Sequence, residues 1–158
     1  MDDIFFMKAA LLEAQAALEE DEIPVGAIVV HGDRIVARAH NLTQRLNDVT
    51  AHAEMQALTS AAANCGGKYL PECTLYVTLE PCPMCAGALA WSQIGKIVYG
   101  AKDEKRGFTI YENAIKTTQP KLSLLHPKTK IVGGILEDEC AKILKDFFEH
   151  KRKRGNYS

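Results

Sequence analysis

Ile4, Met7, Leu11, Ala14 and Leu18 recur at helical spacing, so the chain opens with an amphipathic helix that ends in the acidic stretch 19–22, ahead of Pro24. Residues 25–30 form a short, nearly continuous apolar run, which suits a buried strand. His31-Gly32-Asp33 reads as a turn and residues 35–40 as a second strand, so the two make a hairpin. Residues 41–50 are polar and loop-like. From His52 to about Ala63 the chain is Ala-rich and helical, and Asn64-Cys65-Gly66-Gly67 stops it. Residues 74–78 are β-branched and aromatic, hence a strand; a helix over 83–91 and a strand over 96–99 follow. A strand–helix–strand unit of this length implies a right-handed parallel crossover. Residues 102–127 carry the weakest pattern, a long loop with a short helix around 111–115. Residues 130–132 make a last strand, and Cys140, Ile143, Leu144, Phe147 and Phe148 give the apolar stripe of a closing helix from about 137. The sum is an α/β fold over one domain, 1–158, with a mixed sheet of five strands layered between helices.

Composition fits that picture. A chain of 158 residues, 47 % apolar and 25 % charged, can bury a sizeable core, so disorder is excluded as the default. No apolar run approaches the roughly 20 residues that span a bilayer, so no membrane association is expected. The start, with Asp2 and Asp3, is unlike a secretory signal, and the cytoplasm is the expected compartment. The net charge of −1 conceals a polarity: residues 1–22 carry seven acids and one base, residues 142–154 six bases and two acids.

The chemistry concentrates in two short stretches. Pro81-Cys82-Pro83-Met84-Cys85 follows a strand and opens a helix, with Pro83 suited to the first helical position. Cys82 then sits near the cap and Cys85 in the first turn, where the helix N-terminus favours thiolates. Taken alone, the pair fits a catalytic zinc site, a structural zinc site or a thioredoxin-like thiol oxidoreductase. Five cysteines with one close pair do not make a disulfide framework. Ala51-His52-Ala53-Glu54 opens another helix. Separately, a histidine there is a surface or capping residue, and a first-turn glutamate complements the helix dipole.

Together they narrow the choice. His52, Cys82 and Cys85 are three zinc-type ligands with no second CxxC to complete a set of four, and a catalytic zinc leaves one position for water. Glu54, beside that position, can handle the water's protons. The order matches the known H-x-E…P-C-x-x-C signature of zinc deaminases. An oxidoreductase leaves residues 51–54 unexplained, and a non-catalytic zinc-stabilised RNA-binding module leaves the missing fourth ligand unexplained.

With Ile23-Pro24-Val25-Gly26-Ala27, His40-Asn41, residues 50–55, residues 75–88, Tyr99-Gly100-Ala101-Lys102-Asp103 and Gly134-Ile135-Leu136 added, the chain resembles the cytidine deaminase superfamily over nearly its whole length. Within it, the chain is most similar to the bacterial tRNA-specific adenosine deaminases. The resemblance implies a cytidine deaminase-like three-layer sandwich with a mixed five-stranded sheet between helices, and a homodimer. It implies one Zn2+ per chain on His52, Cys82 and Cys85, with Glu54 as the catalytic proton carrier. The implied substrate is wobble-position adenosine in the anticodon loop of tRNA. Asn41 would contact the base edge, the segments around Gly26 and Ala53 would line its pocket, Asp103 and Lys105 would lie near the flanking nucleotides, and Phe147, Lys151 and Arg152 would touch RNA. By other readings, Asn41 is a turn residue, one of Phe147 and Phe148 faces the core, and residues 151–154 are a solvated helix end. The chain departs from the family at bulky residues over 107–124 and at Leu125-His126, where the family has Asn-His. That departure keeps open a deaminase of free nucleobases or nucleotides, guanine or cytosine derivatives.

Overall fold

The structure, a computed structural model, describes residues 1–155. In chain order it contains α1 (Asp3–Glu19), β1 (Gly26–His31), β2 (Arg34–His40), α2 (Ala53–Cys65), β3 (Cys73–Leu79), α3 (Pro83–Ser92), β4 (Lys96–Ala101), α4 (Phe108–Thr118), β5 (Lys130–Val132) and α5 (Glu137–Lys153). The sheet runs β2-β1-β3-β4-β5, antiparallel across β2/β1/β3 and parallel across β3/β4/β5. The expected hairpin, parallel crossover and mixed sheet are all present. The short helix expected around 111–115 within the 102–127 loop is present and longer, the 11-residue α4, whose one fully buried side chain is Phe108.

Helices cover both sheet faces. On one side α2 and α3 bury Ala53, Ala57, Ala61, Ala86 and Leu89 against Val29, Leu75, Val77 and Ile97, with Phe108 completing the layer. On the other, α1 and α5 bury Phe6, Met7, Ala10 and Cys140 against Ile28, Val30, Tyr76 and Val98.

The buried face of α1 is not the stripe the large residues suggest. Phe6, Met7, Ala10, Ala14 and Ala17 face the sheet, whereas Ile4 is 46 % exposed. The reason is close approach. A Cβ on Gly26 would lie 2.1 Å from the Ala10 carbonyl oxygen and 2.4 Å from the Ala14 nitrogen. The helix backbone rests almost directly on β1, and only small residues fit between. Gly100 plays the same part under Cys140 of α5.

That contact makes Gly26→Ala a test of the packing. Because its obstacle is backbone, the added methyl is expected to cost about 3 kcal/mol in urea unfolding. Gly67→Ala, with nothing within 4 Å of its added Cβ, is expected to change stability by less than about 0.5 kcal/mol.

Candidate metal centre and its cavity

His52 caps α2 and Cys82 caps α3, both with extended backbone (φ −69°, ψ 155° and φ −75°, ψ 170°) and neither making a side-chain capping bond. Pro83 stands in the first turn of α3, as its fixed φ and missing N–H favour. The two helix starts converge, so His52 Nδ1 lies 3.7 Å from Cys82 Sγ and 3.5 Å from Cys85 Sγ. One ligand atom from each of the three lies within 4.8 Å of the others, a cluster that could hold a metal ion.

The electrostatics are those of a shared thiolate. A hydrogen bond with Cys85, seconded by one with His52, brings the Cys82 thiol down to about 4. Cys85 is pushed up, first by that same bond to Cys82 and then by burial, so the pair holds one proton. The Cys82 thiolate in turn raises His52. Glu54, two residues beyond His52, is 5 % exposed, and its burial pushes the carboxyl up to about 7. A carboxyl in that range can both give and take protons near neutrality.

His52, Glu54 and Cys82 line a cavity of about 1010 Å³. Its walls are Ile23, Val25, Val49, Ala53, Leu79, Leu144 and Phe148, and its rim carries Lys102, Asp103, Glu104, Lys105, Arg106 and Tyr111. A groove of similar size, about 970 Å³, runs between α1 and α5 and contains none of these residues. Two buried carboxylates hold the loops around the cavity. Glu22 accepts backbone N–H groups from Gln44 and Arg45 at 3.0 and 2.7 Å. Glu80 accepts those of Asp103 and Thr109 at 3.1 and 3.0 Å.

Of the residues expected in the site, His52, Glu54, Cys82 and Cys85 come together, and Ala53, Asp103 and Lys105 face the same space. Four others do not. Gly26 is turned to α1, and the pocket wall of its segment is Ile23 and Val25. Asn41 is buried outside the cavity lining, its amide donating to Thr43 Oγ1 at 3.3 Å. Phe147 is 4 % exposed and borders the α1–α5 groove. Helical rotation explains it: Cys140, Phe147 and Lys151 share the buried face of α5, and Leu144 and Phe148 look into the cavity instead. Lys151 is 5 % exposed and donates to Asp21, so it is not a free cation for phosphate. Arg152, Lys153 and Arg154 are exposed. Sequence reasoning passed over Val49, Glu80 and Phe148; the spacing of Leu144 and Phe148, one turn apart, was the available signal for the last.

The chain matches the sequence model of the MafB19-like deaminases over residues 1–152. The tRNA-specific adenosine deaminase of Aquifex aeolicus is 50 % identical over 152 residues, covering 96 % of both chains. That of Agrobacterium fabrum is 44 % identical over 148 residues, covering 93 % of this chain and 94 % of its own. A solved structure from work on A-to-I editing by tRNA:A34 deaminases superposes with a TM-score of 0.77 at 42 % identity, covering 89 % of this chain and 99 % of the other.

The basic end can be divided experimentally. Lys151→Ala is expected to lower the thermal midpoint by about 5 °C, because it strips a buried stem and leaves Asp21 without its partner. Arg152→Ala, on the exposed side, is expected to leave the midpoint unchanged in the same scan.

Proposed function

The chain belongs to the MafB19-like deaminase family, and on that premise we propose that it converts adenosine to inosine at the wobble position of tRNA, using one zinc ion. The carrying observation is the convergence of His52, Cys82 and Cys85, with His52, Cys82 and Glu54 lining one cavity and Cys85 buried directly behind them. The fold is cytidine deaminase-like, with its mixed five-stranded sheet between helices. The names of the relatives support the substrate.

One imidazole nitrogen and two sulfurs are a donor set that suits zinc, and three protein ligands leave a tetrahedral ion one position for solvent. Zinc bound there would supply Lewis-acid chemistry and bring the pKa of water towards 7. Proton traffic falls to Glu54, because the oxygens of Glu80, the nearby carboxylate in the cavity wall, already accept bonds from Asp103 and Thr109. Glu54 takes a proton from the attacking water and delivers it to the ring nitrogen beside carbon 6; it then takes the remaining proton from the new C6 hydroxyl and gives it to the amine as the C6–N bond breaks and C6=O forms. Adenosine and water thus give inosine and ammonia. Ile23, Val25, Ala53 and Leu79 give the cavity an apolar wall on which a flat base can lie. A stacked adenine cannot enter such a cavity, so the nucleotide must be unpaired or flipped out.

Phosphate contacts come from Lys105, Lys102 and Arg106 at the rim and from Arg152, Lys153 and Arg154 at the end of α5. Asp103 Oδ1 already accepts the N–H groups of Lys105 and Arg106, so a ribose 2′-hydroxyl would meet Oδ2. Phe148 takes the role first expected of Phe147. The compartment is the cytoplasm, and no described helix is long and apolar enough to cross a membrane. The working form is a homodimer: α3 leaves Trp91 84 % exposed, with Met84 also at the surface. A solution mass of two chains, reduced to one by Trp91→Glu, is the expected outcome of light scattering.

The function is tested with zinc-loaded protein and an anticodon stem–loop carrying adenosine at the wobble position. One inosine per stem–loop is expected. Glu54→Ala should keep one zinc per chain and lose at least roughly 10³-fold in turnover, whereas Cys82→Ala should lose the metal itself. Loss below tenfold would leave Glu54 only the role of complementing the dipole of α2 from its first turn. Turnover of free guanine or cytosine, with none on the stem–loop, would establish the free-base reading in place of this one.

A further inference from the structure

Glu80 stands at the end of β3, two residues ahead of Cys82, and is 2 % exposed. Among the described residues no lysine or arginine hydrogen-bonds its carboxylate; its partners are Asp103, ahead of α4, and Thr109, in the first turn of α4. Oε1 accepts the Asp103 N–H at 3.1 Å. Oε2 accepts the Thr109 N–H at 3.0 Å and the Thr109 hydroxyl at 2.6 Å. The Phe108 N–H donates to the Pro81 carbonyl oxygen at 2.9 Å, so the metal-ligand loop and this segment are joined at both backbone and side chain. Gly107 is required by the same contact, since a Cβ there would lie 2.4 Å from Glu80 Oε2. Phe108, fully buried, anchors the far end.

Between those anchors the chain presents Asp103, Lys105 and Arg106 to the cavity rim. A buried carboxylate is costly unless its acceptor sites are filled, and here three donors from one loop fill them. We infer that Glu80 is a positioning residue for substrate recognition: it fixes the 103–109 segment at a set distance from His52, Cys82 and Cys85, so that rim residues meet the RNA backbone while the target base reaches Glu54. Thr109 is its partner in that role. The inference rests on the tRNA reading above. It predicts an effect on binding more than on chemistry, because the rim touches parts of the substrate remote from the reacting atoms.

Glu80→Gln presents an amide NH2 to one of the two loop N–H groups and must release an end of the segment. With the zinc-loaded protein and the wobble-adenosine stem–loop, KM is expected to rise about tenfold, with kcat within about threefold and zinc content unchanged. Thr109→Val should raise KM in the same sense by about threefold, and Thr109→Ser, which keeps the hydroxyl, should restore it. In amide hydrogen exchange, the N–H groups of Asp103 and Thr109 should exchange at least roughly tenfold faster in Glu80→Gln. Unchanged exchange at those two amides would overturn the inference, as would faster exchange with KM unmoved. A fall in kcat and zinc content with KM constant would make Glu80 a support of the metal loop instead. If Glu80→Gln does not fold, the Thr109 pair decides by the same readouts. If the wild-type protein leaves the stem–loop unaltered, the substrate reading falls, and the exchange comparison still decides whether Glu80 holds the loop.

Discussion

Everything in this molecule is arranged so that two helices begin at the same point. A helix start usually uses its cap side chain to satisfy one of its own free N–H groups, a bond worth about 1 kcal/mol. Neither His52 nor Cys82 makes such a bond. Their side chains are kept for each other and for Cys85, at 3.5–3.7 Å. Local stability is forgone at both caps, and the positive ends of two helices are brought to bear on the thiolate that Cys82 and Cys85 share. The cost is offset behind the caps, where Ala53, Ala57 and Ala61 of α2 and Ala86 and Leu89 of α3 are buried against the sheet.

The cavity over this point is built from distant stretches of chain, and it depends on buried carboxylates in place of a continuous element. Glu22 secures the loop that brings Val49 to the wall, and Glu80 secures the loop that brings Asp103, Lys105 and Arg106 to the rim. In each case a carboxyl group whose oxygens accept backbone N–H groups does what a salt bridge would do, without a second long side chain to desolvate. A third acidic contact, Asp21 with Lys151, ties the end of α5 to the turn after α1. Leu144 and Phe148 are thereby presented to the cavity, and the exposed cations 152–154 follow beyond.

Much of this was legible in residue order. The hairpin, the Ala-rich α2, the crossover through α3 and the three-residue β5 follow from period and punctuation, because each buries a face of ordinary apolar residues. The metal cluster was legible for a different reason: ligand types at two helix starts are rare enough to be read without the fold. What escaped depended on tertiary contact. The buried side of α1 is carried by alanines seated on Gly26, and alanine gives little signal against Leu11, Leu12 and Leu18. Only Phe108 of α4 is fully buried, so that helix shows hardly any core-facing pattern. Phe147 and Phe148 are chemically alike, and only the rotation of α5 on the sheet decides which one faces the cavity. Nothing in residue order sets Glu80 apart within residues 75–88, because the partners that define its role lie 23 and 29 positions away.

The central claim is that three protein side chains, and no more, hold a zinc ion and leave one place open to solvent beneath the cavity. X-ray absorption at the zinc edge of the purified holoprotein tests it most directly. The account predicts two sulfurs at about 2.3 Å, one imidazole nitrogen at about 2.0–2.1 Å and one further light atom from water. A shell of three or four sulfurs, or two imidazoles with two sulfurs, would contradict it, because the ion would then be a structural one with no position for the reaction.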